Sequence, residues 1–236
     1  MSREQELVSI IIPTYNRFLY VQRSINSVLS QTWKNIEVIV VDDCSTQPEY
    51  ADLPGIYAEE PRVKIIRLEK NMREVHNSKF AQGMTRNEGI KIAKGEWIGF
   101  LDDDDFYLIE DKLEMQIGMM KSHNKRSSST NMLTGSGLDK EGFTRIYFNS
   151  LVGKPIDSLV SIIDSEVLQQ SNIVNNSTVL LHKSIIEKIG LQQLVIFEDY
   201  EYWKLACMHT DFIYIHLATM GYDVSHAGGN YYVNSY

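Results

Sequence analysis

Three short apolar runs, each closing on residues that favour a turn, constrain this chain more than any other feature. Val8-Ser9-Ile10-Ile11-Ile12 gives way to Pro13-Thr14-Tyr15-Asn16, Ile36-Glu37-Val38-Ile39-Val40-Val41 ends in Asp42-Asp43, and Trp97-Ile98-Gly99-Phe100-Leu101 ends in Asp102-Asp103-Asp104-Asp105. Runs this short and this rich in β-branched residues read as strands buried on both faces, as in a parallel sheet covered by helices. Between them the period changes: Phe18, Val21, Ile25, Val28 and Leu29 recur at helical spacing. A further strand is predicted at residues 63–68. A helix is predicted over residues 78–93, divided around Gly83 and stopped by Gly95, and another from Glu110 with Leu113, Ile117 and Met120 on its buried face. Strands that alternate with helices pair in parallel through right-handed crossovers. The loops at the carboxyl ends of such strands converge on one crevice where ligands bind. Asn16, Asp42, Asp43 and the four aspartates 102–105 are therefore expected on one rim.

The second half is less regular. Lys125-Arg126-Ser127-Ser128-Ser129-Thr130 reads as a polar break, a solvated loop in preference to a basic patch for lipid phosphates. A strand is expected at residues 143–148 and a helix at 155–170. Thr178-Val179-Leu180-Leu181 reads as a strand leading into a helix over 183–189 that Gly190 stops. A helix over 199–207 and a strand over 212–216 complete the pattern. No repeat or flexible linker divides the chain, so it is read as one domain, residues 1–236, in two halves, 1–124 and 125–236.

Composition narrows the classes. Hydrophobic residues make up 43% and charged residues 23%, which excludes disorder and coiled coil. The net charge of −8 argues against a nucleic-acid partner. Two cysteines, Cys44 and Cys207, supply neither a disulfide framework nor a four-cysteine zinc site. The apolar run from Leu7 is too short for a secretory signal, and no stretch approaches the ~18 apolar residues of a membrane span. A reducing cytoplasmic setting follows as the expectation, and the Asn-x-Ser/Thr patterns at Asn175 and Asn176 are read as chance.

Four consecutive aspartates repel one another and raise one another's pKa. A solvated acidic turn is the bland reading. Directly after a buried strand, at a ligand-binding rim, a divalent cation is the stronger one. Hard oxygen ligands suit Mg²⁺ or Mn²⁺ shared between carboxylates and substrate phosphates. Asp104 is the first-choice ligand, and Asp102 falls on the same side if strand geometry continues. Asp43 reads equally as a turn residue, feeding an Asx turn through Ser45-Thr46, or as an acceptor for a uracil or thymine ring N–H or for ribose hydroxyls. Asp199 by itself reads first as an N-cap and second as a general base. Arg86 suits an ion pair with the acidic rim or a diphosphate. His226 suits a phosphate or metal contact, and His216, inside an aromatic strand, a structural role.

Together these segments are more specific than any part. The stretch from Val8 through Pro13-Thr14-Tyr15-Asn16-Arg17, the segment Ser24-Ile25-Asn26-Ser27-Val28-Leu29-Ser30-Gln31-Thr32 and Glu37 to Ser45 resemble the N-terminal signature of the family 2 inverting glycosyltransferases of the GT-A fold. Arg86-Asn87-Glu88-Gly89-Ile90, Ala93 to Asp105 with its Asp-x-Asp pattern, and Lys112-Leu113-Glu114 with Gln116 are similar to that family's next blocks. Glu198-Asp199-Tyr200-Glu201-Tyr202-Trp203 resembles its Glu-Asp motif. The resemblance is dense over residues 8–120 and sparse beyond.

The resemblance implies a Rossmann-like, mostly parallel central sheet flanked by helices, with a nucleotide-sugar-binding half at 1–124 and an acceptor and catalytic-base half at 125–236. It implies that Pro13, Tyr15 and Asp43 hold the nucleotide, with Tyr15 stacking on its base. Arg86 would lie near the diphosphate, and Asp103 would touch ribose or donor sugar. Asp104 would bind Mg²⁺ or Mn²⁺, joined by Asp102 on the strand-geometry reading above and by His226, which stands where relatives often carry a histidine after an aromatic segment, and Asp199 would be the base. Cys44 stands where relatives often carry a small or polar residue. The implied reaction is a metal-dependent, inverting single displacement from a nucleoside-diphosphate sugar, UDP-linked by expectation, to a saccharide or lipid-linked acceptor in surface polysaccharide synthesis. It would take place in the cytoplasm or peripherally at the inner membrane face, with a homodimer left open. A sugar nucleotidyltransferase and a non-catalytic carbohydrate-binding module are the alternatives. The first wants a glycine-rich, lysine-bearing phosphate loop, which residues 13–17 are not.

Overall fold

A computed structural model describes residues 5–146 and 159–225. The chain alternates as the periodicities require. Strand β1 (Val8–Thr14) leads to helix α1 (Phe18–Leu29), then β2 (Ile36–Asp42), the single turn α2 (Leu53–Ile56) and β3 (Val63–Arg67). The short α3 (Met72–Val75) and longer α4 (Gln82–Ile92) precede β4 (Trp97–Phe100), the two-residue β5 (Phe106–Tyr107) and α5 (Lys112–Ser122). The second half holds β6 (Ser127–Gly135), β7 (Phe143–Ile146), β8 (Val160–Ile163), α6 (Ser165–Gln170), β9 (Leu180–His182), α7 (Lys183–Ile189), α8 (Glu198–Cys207) and β10 (Phe212–Asp223).

All described strands join one sheet in the order β3-β2-β1-β4-β9-β6-β10-β5, with β7 beside β6 and β8 beside β10. The first four are parallel, as expected. Then β9 runs antiparallel between β4 and β6, and β10 runs parallel to β6. Alternate residues of β1 enter different cores, which explains its continuous apolar run. Ile10 and Ile12 pack with Val21, Ile25, Leu113 and Ile117 from α1 and α5. Ile11 packs with Phe100, Tyr202, Trp203 and Ala206 on the other face, toward α8.

Three expectations are corrected. Residues 127–130 are not a solvated loop but the start of β6, buried at the centre of the sheet. Their hydroxyls make the burial tolerable because each has a partner. Ser127 Oγ donates to the Asp211 carbonyl at 2.9 Å, Gln116 Nε2 donates to Ser128 Oγ at 3.0 Å, Ser129 meets Thr178 at 2.6 Å and Thr130 meets Thr219 at 2.6 Å. Lys125 and Arg126 are likewise engaged, by Asp211 and by Ser184. Within the region expected as a helix over 155–170, residues 160–163 form a strand. The helix starts only where Asp164 Oδ1 accepts the Val167 N–H at 2.9 Å; residues 155–158 lie outside the described part. Helix α4 is not divided at Gly83. A Cβ there would sit 2.8 Å from Glu198 Cγ, so the glycine serves the close approach of α4 to the start of α8.

Candidate active site

The turns after the parallel strands build the site. Asn16, in the left-handed region at φ 55°, reverses the chain after β1, and its Oδ1 accepts the N–H groups of Thr46 at 2.7 Å and Gln47 at 3.0 Å. The turns after β1 and β2 are thereby tied together. The Asx turn after β2 belongs to Asp42, whose Oδ1 accepts from Ser45 N–H at 2.8 Å, and not to Asp43. Asp43 reaches the other way and accepts the Met72 N–H at 2.8 Å. Burial pushes its carboxyl above the ordinary range, although the Met72 and Thr85 hydrogen bonds oppose the shift. Cys44, also left-handed at φ 62°, completes that turn.

The four aspartates do not alternate as a strand would. Strand β4 ends at Phe100, and the Asp105 N–H bonds to the Asp102 carbonyl at 3.0 Å, closing a turn. Asp103 and Asp104 consequently face the same cation: Arg17 Nη1 lies 2.8 Å from Asp103 Oδ1 and 2.7 Å from Asp104 Oδ2. Asp103 also accepts from Thr14 Oγ1 at 2.8 Å. Asp102 accepts from Arg86 Nη2 at 2.8 Å and Asn176 Nδ2 at 3.0 Å. Asp105 turns into the protein and receives the Asp223 N–H at 3.0 Å. Burial pushes the Asp104 carboxyl up to about 7, with Asp103 adding to the shift and Arg17 opposing it.

Of the two readings of Arg86, the ion pair with the acidic rim is the one observed. It is buried, and its second fork nitrogen, Nη1, donates to Glu198 Oε1 at 2.9 Å. Burial by itself lowers an arginine's pKa; here Asp102 and Glu198 outweigh it and keep Arg86 firmly charged. This contact draws the first turn of α8 toward the acidic loop. The position that caps α8 is Phe197, so Asp199 is not the N-cap. It sits inside the first turn, where burial and then Glu198 push its carboxyl up to about 6 against the pull of Arg86.

Pro13, Tyr15, Asp43, Arg86, Asp102, Asp103, Asp104 and Asp199 all line one cleft of about 680 Å³, a size suited to a small-molecule ligand. His226 lies outside the described residues. His216 is held on β10, 2.8 Å from Ser161 Oγ.

Sequence reading missed several residues here. Arg17 closes the first motif, and nothing local in the sequence signals its role as partner of Asp103 and Asp104. Arg73 and Lys79 add positive charge to the cleft lining. Asn176, noticed only as part of an Asn-x-Ser pattern, holds Asp102, and neighbouring Ser177 Oγ accepts the Asp102 N–H at 3.0 Å. That segment is gripped from below, because fully buried Lys112 and Gln116 both donate to the Thr178 carbonyl, at 3.3 and 2.9 Å. The spacing of Lys112 and Gln116 on one helix face was the available signal.

The donor set fits a hard divalent ion. Asp102 and Asp104 present hard carboxylate oxygens at the cleft wall, and a cation there would offset the desolvation and like-charge repulsion that raise Asp104. Among the described residues no three acidic, histidine or cysteine side chains converge as a complete metal cage. A bound ion would therefore need ligands from substrate or water, as Mg²⁺ sites on phosphates commonly do.

The fold is that of the GT-A transferases. S. aureus TarS 1–349, solved in complex with UDP-GlcNAc, matches with a TM-score of 0.71 at 22% identity, over 92% of this chain and 58% of that one. The mannosyltransferase PcManGT from Pyrobaculum calidifontis, solved with GDP-Man and Mn²⁺, matches with a TM-score of 0.68 at 16% identity, over 96% of this chain and 59% of that one. The family model of glycosyl transferase family 2 matches residues 9–150, and the chain belongs to that family. The E. coli protein WfgD, a UDP-Glc:alpha-D-GlcNAc-diphosphoundecaprenol beta-1,3-glucosyltransferase, is 32% identical over 199 residues, 84% of this chain and 68% of its own. Curated relatives from Rickettsia and Haemophilus influenzae are longer, and the matched segments span 18% to 42% of their length.

Proposed function

We propose that this chain transfers a sugar, with inversion, from a UDP-sugar to a hydroxyl of a saccharide or lipid-linked acceptor in surface polysaccharide synthesis. The observation that carries the reading is that Asp43, Asp104 and Asp199, far apart in sequence, line the same cleft. TarS binds UDP-GlcNAc, and WfgD by its name takes UDP-Glc and a diphosphoundecaprenol-linked sugar. These support the donor and acceptor classes.

In this reading Tyr15, 41% exposed on the cleft, stacks on the nucleotide base, and Asp43 accepts from its ring N–H or from ribose. Asp103 serves the ribose or donor sugar. Asp104 and Asp102 would hold Mg²⁺ or Mn²⁺, which when bound supplies Lewis-acid neutralisation of the leaving diphosphate, worth several kcal/mol. Arg17, Arg73 and Lys79 add positive charge along the same wall. Asp199 takes the proton of the acceptor hydroxyl as its oxygen bonds to the anomeric carbon. The bond from that carbon to the diphosphate oxygen breaks on the opposite face, and UDP leaves with the electron pair. A carboxyl near pKa 6 is a better base than an ordinary aspartate and is still ionised at neutral pH. A lipid-linked acceptor of the kind WfgD takes would be met at the cytoplasmic membrane face by peripheral contact; no helix among the described residues is long and apolar enough to cross a membrane.

The test is UDP release from UDP-glucose and UDP-N-acetylglucosamine with Mn²⁺ and sugar acceptors. Turnover by the wild type, lost in Asp199→Asn with UDP binding retained, supports the transferase. UDP binding without turnover would mark a binding module, and pyrophosphate release from UTP and a sugar phosphate would mark a nucleotidyltransferase.

A further inference from the structure

Residues 192–198 form a strap held at both ends by adjacent residues of α4, and its last three residues line the cleft. Asn87 exchanges two hydrogen bonds with the Gln192 backbone, each 2.9 Å long. Arg86 holds Glu198 at 2.9 Å. Between these anchors Ile196 and Phe197 line the cleft, 56% and 48% exposed. Phe197 is also the residue that caps α8, with φ 58° and ψ 48° in the left-handed region. Asparagine occupies three of the other four described non-glycine positions with positive φ, as its small polar side chain allows. A bulky aromatic there is strained, and such strain persists where surrounding structure enforces it, most often at functional sites. Here an exposed apolar ring is held by a strained backbone two residues before Asp199.

We propose that Phe197 is the platform on which the sugar ring of the acceptor rests. The proposal depends on the transferase reading above. A pyranose presents an apolar C–H face and polar edges. An aromatic ring offers a complementary surface with only two side-chain torsions to restrict. A sugar lying on Phe197 would bring an edge hydroxyl to Asp199 on the same turn of chain. The donor-side groups come from elsewhere, the ends of β1, β2 and β4, so this aromatic serves the acceptor and not the nucleotide. The double anchoring by Arg86 and Asn87 fixes the platform relative to the base.

Steady-state kinetics with UDP-glucose or UDP-N-acetylglucosamine, Mn²⁺ and octyl glycosides of glucose, galactose and N-acetylglucosamine test this. Phe197→Gly removes the ring while relaxing the left-handed position, so its melting temperature should match or exceed the wild type's. Its acceptor KM should rise about tenfold or more, a 1.4 kcal/mol change. Its donor KM and acceptor-free UDP release should stay within about twofold of wild type. Phe197→Trp should keep a low acceptor KM. An acceptor KM unchanged in Phe197→Gly, or a parallel rise in donor KM, overturns the proposal. A wild type that releases no UDP from either donor with any of these acceptors overturns the transferase reading, and this inference with it.

Discussion

Arg17 Nη1 lies 2.7 Å from Asp104 Oδ2, so the aspartate proposed as the metal's first ligand is paired with an internal cation. The same nitrogen holds Asp103 at 2.8 Å. Without Arg17, two mostly buried carboxylates would face each other without the cation that pairs with both. Arg17→Gln is expected to lose about 3 kcal/mol of stability in metal-free buffer, the lower end of the range for breaking a buried pair. In a chain of this size that is a melting-temperature drop of roughly 6–12 °C. Mn²⁺ with UDP should restore most of it, because the ion replaces the lost charge. Thermal melts in EDTA and in Mn²⁺ with UDP check both parts, and an unchanged melt in EDTA would count against the pairing.

In the proposed mechanism Asp199 takes a proton only when ionised, and burial together with Glu198 sets its carboxyl at about 6. Turnover is therefore expected to rise with pH through about 6 and level off above 7. Asp199→Asn should lower kcat by about 10²–10⁴-fold. A carboxyl raised by folding favours the fold while protonated, and that contribution is lost as pH rises through 6. Asp199→Asn should therefore melt higher than wild type at pH 8, and this gain should shrink toward pH 4. A pH–rate profile and melts at both values decide it.

Arg86 joins the acidic loop to α8 through two separate hydrogen bonds from one fork. Lysine keeps the charge but not the planar geometry. Arg86→Lys should fold and bind UDP while kcat falls by about 10²-fold, the scale of a 1 Å misplacement of the base. Arg86→Met leaves Asp102 and Glu198 without their cation and should cost about 3–5 kcal/mol. Denaturant titration and steady-state kinetics on both variants separate the structural loss from the catalytic one.

Lys112 is fully buried, and burial brings its amine down to about 7 from an ordinary 10.5. Between these values the unfolded chain binds a proton that the folded chain lacks, so this group makes stability rise with pH from about 7 upward. As pH falls through 7 the contribution disappears. Lys112→Met should flatten the pH dependence of the melting temperature between pH 7 and 9. Melts across that range would show a wild-type slope in the variant if the lysine were ordinarily charged.

The parallel half of the fold was legible in the sequence because its signals are local. Apolar runs such as residues 36–41 bury both faces of a strand, and Phe18, Val21, Ile25 and Val28 mark a helix without reference to anything distant. The acidic strand ends marked the candidate site for the same reason, whereas Asp199, which by itself reads first as an N-cap, entered the site only through the resemblance of its Glu-Asp motif. Serines 127–129 were misread because a hydroxyl looks solvated until its partner is known. Those partners, on Gln116, Thr178 and Asp211, come from other parts of the chain. The division of labour among Asp102, Asp103, Asp104 and Asp105 was equally hidden, since a turn after β4 and the reach of Arg17 and Arg86 decide where each carboxylate points. The sequence by itself determined which elements form and which chemistry their ends carry, through backbone preference and side-chain period. Only the tertiary structure decided which charges meet, because burial and pairing energies depend on distances between residues that the chain order leaves far apart.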